Sequence, residues 1–380
     1  MSRQSRVPAV ASVSGASARG PAATAGARPS AVAWASQLSD VWFALLAAAV
    51  STALGLYQLA QPSFWIDESF TARAMSRSYG HLIHEHHMAY YAFMKPWAAV
   101  AGTSELALRL PSVFAAAAAC ALVVPLGNRL VGRPVGSVAG VVLALNAFVV
   151  QWSQQARSYA FVLLLAIVAT AALVRLRETP TRRSWVGYAA SLGVLLLLQP
   201  LSAGLLAAAH FVAARGARGR VVAAGVTVVL LASPFLVGVY RRDSEAGTLV
   251  WNDRITAGKG LLALLEISGA VGFGLLLSVV ALVVVRRERL LLASWAFAPL
   301  LICAALVPFE HLLVDRYLLM SAPAFALLVA GALCTLRGPW RVGAIGAFAV
   351  GVVASLAIWY SPSGSDNWAG QDWRAATRYA

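Results

Sequence analysis

Residues 286–316 read RRERLLLASWAFAPLLICAALVPFEHLLVDR, an uncharged run at 290–307 set between a basic cluster and a segment holding Glu310 and Asp315. A helix rises about 1.5 Å per residue, so a run of about 20 apolar residues crosses about 30 Å of hydrocarbon. Working outward, comparable runs fall near 41–60, 110–128, 135–153, 159–174, 186–200, 201–214, 221–240, 261–285, 317–336 and 342–360. With 290–307 the expected spans number eleven, and the expected fold is an all-α polytopic membrane protein. Composition agrees. Of 380 residues, 60% are hydrophobic and 12% charged, where a soluble domain carries about 25% charge.

The net charge of +15 does not point to nucleic acid, because the basic residues stand in short clusters between apolar runs. They report topology. Lys and Arg bias short loops toward the cytoplasm, whereas acids contribute little. With the N-terminus inside, the inner loops and tail hold 18 of the 30 basic residues, and Asp67, Glu68, Glu85, Glu105, Glu310 and Asp315 fall outside. Cys120, Cys303 and Cys334 lie in apolar runs without metal-ligand spacing, so neither a disulfide framework nor a cysteine metal site is expected.

Residues 1–39, rich in Ala, Ser, Gly, Pro and Arg, read as a disordered cytoplasmic tail. A transmembrane domain at 40–360 and an outer tail at 361–380 follow. Between the Arg183 and Arg215 loops lie too few residues for two full crossings, with Pro200 in the middle. A short or re-entrant hairpin walling a cavity is expected there.

The first outer loop, 61–109, is longer than a hairpin needs, and long loops in compact domains are usually functional. Two interfacial helices are expected in it, separated near Gly80. In the second, His84, His87, Tyr91 and Lys95 share a helical stripe, and Pro96 should kink or end it. Asp67 has two readings. It caps the first helix, or it is a general base for an acceptor hydroxyl while arginines hold a phosphate leaving group. Arg109, Arg157 and Arg316 sit at outer span ends, where an arginine either snorkels to headgroups or offers a bidentate fork to phosphate. Tyr159 and Tyr317 stand beside the last two. Glu266, inside its span, should face the protein interior, and His210 reads as packing. The histidine cluster of His81, His84, His86 and His87 bonds substrate or headgroups, or holds one divalent metal ion through Glu85 and His84, with His311 as a distant ligand. No cofactor is otherwise required, and no DxD motif occurs in the loop.

In order along the chain, WIDES (65–69), HxxYY (87–91), GTSELALRLPS (102–112), LGNRLVGRPVG (126–136), QQARSYA (154–160) and RYLLMSAP (316–323) resemble the GT-C membrane glycosyltransferases. The resemblance is to glycosyltransferase family 39, which contains protein O-mannosyltransferases and, more distantly, the aminoarabinose transferases of lipid A. It looks closest to actinobacterial mannosyltransferases.

The resemblance implies transfer of a sugar, mannose by kinship, from a polyprenyl-phosphate monosaccharide at the outer face of the plasma membrane. The implied partners are that donor, membrane lipids and a protein, lipoglycan or polysaccharide acceptor, with no nucleic acid. It matches Asp67 to the catalytic base, Glu68 to its acidic partner, His87 to the loop histidine and Arg157 to the arginine on the lipid phosphate. Arg109 and Arg316 match family positions, and the substrate-binding set it suggests adds His86, Tyr91, Lys95, Tyr159 and Tyr317. At His84–Ala89 the sequence departs from the family pattern, which leaves His86 and His87 as alternatives. Relatives continue past a segment like DWRAATRYA (372–380), so the tail is expected to be truncated. A lipid or sugar transporter and an inactive truncated relative are the alternative functions.

Overall fold

The computed structural model describes residues 31–82, 85, 87–246, 257–306 and 314–361. The expected tails, most of 1–39 and 362–380, and the candidates His84, His86 and His311 lie outside the described residues. Every regular element described is helical, and the protein is a multi-pass membrane protein. The first 38 residues form a unit of their own, of which only the start of α1 (Ala31–Leu56) is described.

Among the described residues, seven helices are long and apolar enough to span, and up to nine spans result if each of two bent pairs is one. The unbroken ones are the 39–56 part of α1, α5 (Glu105–Leu130), α8 (Tyr159–Glu178), α11 (Arg218–Ala246, apolar through 241), α14 (Arg289–Leu306), the run Asp315–Thr335, and α16 (Gly338–Tyr360). Within Asp315–Thr335 a tight 3-10 stretch, Asp315–Ser321, leads into α15 (Ala322–Thr335). Almost every residue of α15 is buried, which makes it the axis around which the bundle packs.

Among the described residues, the expected spans other than 186–200 and 201–214 correspond to these helices, two of them as bent pairs. Residues 135–153 were expected as one span, but α6 (Arg133–Ala144) and α7 (Ala147–Ser153) meet at 57°. Residues 261–285 were also expected as one span. There α12 (Ala257–Ser268) and α13 (Phe273–Val284) are separated by a turn, and the bend is 114°. Gly269, Ala270, Val271 and Gly272 all have φ between 51° and 84°, left-handed backbone that cannot continue an α-helix. Apolar composition alone does not reveal such a break.

Asn146 joins the two breaks. Its Oδ1 accepts from the Phe148 amide at 2.9 Å, capping α7, and its Nδ2 donates to the Ile267 carbonyl at 2.9 Å, at the end of α12. Freed backbone groups at membrane depth need such partners. The expected short hairpin is present as α9 (Arg182–Leu198) and α10 (Pro200–Ala213), of 17 and 14 residues, parted at Gln199 just before Pro200.

Close backbone approach fixes α5 against α6. A Cβ on Gly136 would lie 2.4 Å from the Val124 carbonyl oxygen, so only glycine admits this contact, the small-residue packing of helices in lipid. The three cysteines are free. His210 is buried, with Thr170 Oγ1 at 3.0 Å and the Tyr188 hydroxyl at 3.2 Å, so it packs through a polar triad. Glu266 lies on α12 with its side chain partly covered by protein.

The first long loop holds three helical segments rather than two: α2 (Ile66–Ser76), the single turn α3 (Tyr79–Leu82) and α4 (Met88–Ala101). One face of α2 and α4 is buried in a satellite core of Ala74, Met75, Tyr90, Tyr91, Met94 and Ala98 that also takes in Leu108 and Ala156. Phe70 and Phe93 are exposed, as amphipathic helices at an interface require. Pro96 lies inside α4 and does not end it.

Candidate active site

Glu68 organises the site from beneath. It is the third residue of α2, and its Oε2 lies 3.4 Å from the Trp65 amide at the helix start, the reach-back of a capping box. The capping reading of Asp67 is therefore corrected, because its neighbour does that work. Glu68 has no exposed surface. Arg109 donates to it from Nε at 2.8 Å and from Nη2 at 2.6 Å, and the Ala156 amide donates to Oε1 at 2.7 Å.

Arg109 is equally committed. Nη1 donates to the Leu59 and Pro62 carbonyls, both at 2.8 Å, and Nη2 also donates to the Ser63 carbonyl at 3.1 Å. A guanidinium has five N–H groups, and all five are used. The expectation that Arg109 meets a phosphate is thus corrected. It ties the start of α2 and the preceding chain to α5.

The Ala156–Arg157 backbone is pinned from two sides. Thr71 Oγ1 donates to the Ala156 carbonyl at 2.9 Å, and Ser112 Oγ donates to the Arg157 carbonyl at 3.1 Å. Ser112 closes the GTSELALRLPS stretch and Thr71 lies in no quoted motif, but neither contact is visible in sequence, since their partners are backbone groups 85 and 45 residues away.

Held in this way, the buried Arg157 side chain reaches α2 and α4. Nη1 donates to the Asp67 carbonyl and the Tyr91 hydroxyl, each at 3.3 Å, and Nη2 lies 2.7 Å from His87 Nε2. Although burial by itself opposes the charge of Arg157, its surroundings hold its pKa above the ordinary arginine value, and the Asp67 carboxylate is among the groups that favour its charged form. Burial raises the Tyr91 phenol above its usual value, so Tyr91 meets Arg157 as a neutral hydroxyl. His87 precedes the first residue of α4 as its N-cap.

The Asp67 carboxylate is half-buried, and Arg316 Nη2 lies 3.8 Å from its Oδ2. Arg316 sits among the rings of Tyr317, Trp65, Trp152 and Tyr159, with centroids 5.6, 5.7, 5.8 and 5.9 Å from its guanidinium carbon. Its Nε–H has no hydrogen-bond partner among the described residues. Of the expected set, the structure brings together Asp67, His87, Tyr91, Arg157, Tyr159, Arg316 and Tyr317. Trp152 joins them unforeseen, its signal being its place two residues before QQAR.

Lys95 does not join the set. Its Nζ donates to the Met75 carbonyl at 2.9 Å and the Arg77 carbonyl at 2.7 Å, where it satisfies and neutralises the C-terminus of α2. Its expected role toward substrate is corrected accordingly. Glu85 is in an ion pair with Arg77. Among the described residues no three His, Cys, Asp or Glu side chains group as metal ligands, and the metal expectation through His84 and His311 falls outside them.

Residues 85–239 match the family described as dolichyl-phosphate-mannose-protein mannosyltransferase. No curated protein matches the chain. Among solved structures, the chain is similar to ArnT from Cupriavidus metallidurans bound to undecaprenyl phosphate, with 15% identity and a TM-score of 0.61, covering 88% of this chain and 65% of that one. It is also similar to the oligosaccharyltransferase AglB from Archaeoglobus fulgidus in complex with an inhibitory peptide and a dolichol-phosphate. Here the identity is 12%, the TM-score 0.51, and the coverage 88% and 59%. The chain thus spans about two thirds of the length of the first of these and less of the second.

Proposed function

The chain has the GT-C glycosyltransferase fold, and we propose that it transfers a sugar, mannose, from a polyprenyl-phosphate monosaccharide to an acceptor hydroxyl at the outer face of the membrane. The observation that carries this reading is Asp67. Its carboxylate is kept out of the helix cap and faces a half-exposed Arg316, while its backbone carbonyl is held by Arg157. The family match over 85–239, which includes His87, Tyr91, Arg109 and Arg157, supports a polyprenyl-phosphate donor and suggests mannose.

In the proposed reaction the acceptor oxygen attacks the anomeric carbon and gives its proton to Asp67. The bond from that carbon to the phosphate oxygen breaks, and polyprenyl phosphate leaves. A general base must reach the acceptor hydroxyl, and among the described residues the ion pair of the Asp67 carboxylate is the long one to Arg316 at 3.8 Å. Charge accumulating on the leaving phosphate is met by Arg316 and Arg157, fixed donors in a site partly closed to water. The ring wall around Arg316 offers the apolar faces that a sugar or a polyprenyl chain stacks on. The acceptor is a secreted protein, a lipoglycan or a wall polysaccharide.

The test is transfer from radiolabelled polyprenyl-phosphate mannose in membranes holding this chain, with product separated into protein, lipid and polysaccharide. Asp67→Asn should lower incorporation by about 100-fold or more, the contribution of a general base, with an unchanged unfolding midpoint. Undiminished transfer by Asp67→Asn overturns the assignment of the base. The two broken spans favour a second reading, a lipid or sugar translocator. Substrate-dependent translocation without any transfer would establish that one instead.

A further inference from the structure

A second charged site lies at the other end of the bundle. The α8 helix has 20 residues, so Arg177 near its C-terminus stands about 30 Å from Tyr159 at its start. There a cavity of about 530 Å³ opens among the ends of α8, α10, α13 and α14, and it is lined by Arg177, Arg215, Arg286, Glu288 and Arg289. Four guanidiniums and one carboxylate make it strongly basic.

The carboxylate is already spent. Glu288 takes Arg177 in a two-point pair, with Nη1 to Oε2 at 2.8 Å and Nη2 to Oε1 at 3.1 Å. Its backbone is held at φ +50, a left-handed conformation unusual for a residue with a Cβ. Arg215, Arg286 and Arg289 have no carboxylate partner among the described residues, and the one hydrogen bond from a guanidinium of the three is Arg289 Nη1 to the Leu282 carbonyl at 3.4 Å. Three uncompensated arginines in one cavity repel one another unless an anion joins them.

The walls narrow the identity of that anion. Leu282, Leu290, Leu291 and Ala293 line the same cavity, so apolar side chains stand beside the cationic ones. Three of these residues and Arg289 belong to the first turns of α14, where helix amides ahead of the first intrahelical bond, Leu292 N to Glu288 O at 3.0 Å, face outward with a positive dipole. The guanidinium fork fits phosphate in two-point contacts, and basic pockets between spanning helices take acidic headgroups. We infer that this cavity binds the phosphate headgroup of an anionic membrane lipid, at a site separate from the proposed transfer site and independent of that reading.

The experiment uses the full chain in nanodiscs of equal parts phosphatidylglycerol and phosphatidylcholine, with retained lipid identified by native mass spectrometry. Preferential retention of phosphatidylglycerol, displaced by added phosphatidic acid but not by inorganic phosphate, is expected. Retention of inorganic phosphate with no preference between lipids would assign the cavity to a free anion and overturn the lipid assignment. Replacing Arg215, Arg286 and Arg289 together by Gln should reduce that retention about tenfold or more, whereas replacing all three by Lys should keep most of it. Undiminished retention in the Gln variant would place the lipid elsewhere and overturn the site. If the Gln variant fails to fold, the wild-type competition and the Lys variant decide: equal retention of both lipids by wild type overturns the inference.

Discussion

Glu68 and Arg109 form a buried two-point ion pair, 2.6 and 2.8 Å across its two contacts, in which no N–H of the guanidinium is left over. The pair joins residues 41 positions apart, and through the Ala156 amide it also grips the segment that carries Arg157. Asp67 and Arg157 are therefore neighbours because Glu68 is anchored, and in the proposed reaction Glu68 would act as a positioning residue rather than as a second reacting carboxylate.

Removing one partner of this pair leaves the other buried and uncompensated, which costs about 3–5 kcal/mol. Glu68→Ala and Arg109→Ala should each lower the unfolding midpoint sharply in detergent. The double variant should lose much less than the sum of the two. Additive losses in a thermal double-mutant cycle would show that the two side chains do not act as a unit.

Lys95 follows Tyr91 by one turn of α4 and Arg157 reaches the Tyr91 hydroxyl, yet they should behave oppositely. Lys95→Gln removes two bonds to the end of α2 and should cost stability by about 1–2 kcal/mol, with the KM for the polyprenyl donor unchanged once protein loss is corrected. Arg157→Lys keeps the charge but cannot span His87, Tyr91 and the Asp67 carbonyl together, so it should lower kcat while the unfolding midpoint moves little. A donor KM raised by Lys95→Gln would return Lys95 to the substrate site.

Asn146 is expected to be the most sensitive polar residue of the two broken spans. Asn146→Leu loses the α7 cap and the bond to Ile267, together about 1–3 kcal/mol. Gly269→Ala forces a Cβ onto φ +81 and within 3.1 Å of the Asn146 amide nitrogen, so it should destabilise by more than about 1 kcal/mol. Thermal unfolding of each variant checks both, and a stabilised Gly269→Ala would contradict the turn.

The spans themselves were legible because hydrocarbon admits no unsatisfied backbone, so length and apolarity alone announce a crossing helix. That held for 290–307, whereas the pair around Pro200, of 17 and 14 residues, is too short to be announced in this way. It failed at 261–285, where the 114° turn at Gly269–Gly272 is as apolar as the helices it interrupts. The site was legible as a set of charged residues in one loop and at span ends. Their division of labour was not.

Sequence by itself determined a polytopic helical membrane protein with its ionisable residues gathered in the first long loop and at span ends, since water and lipid sort those residue types by transfer energy without regard to partners. Only the tertiary structure decided that Arg109 and Lys95 serve the scaffold while Arg157 and Arg316 flank Asp67. A guanidinium or an ammonium reads the same in sequence whether its donors are spent or open, and what spends them here is backbone carbonyls and a carboxylate brought close by folding.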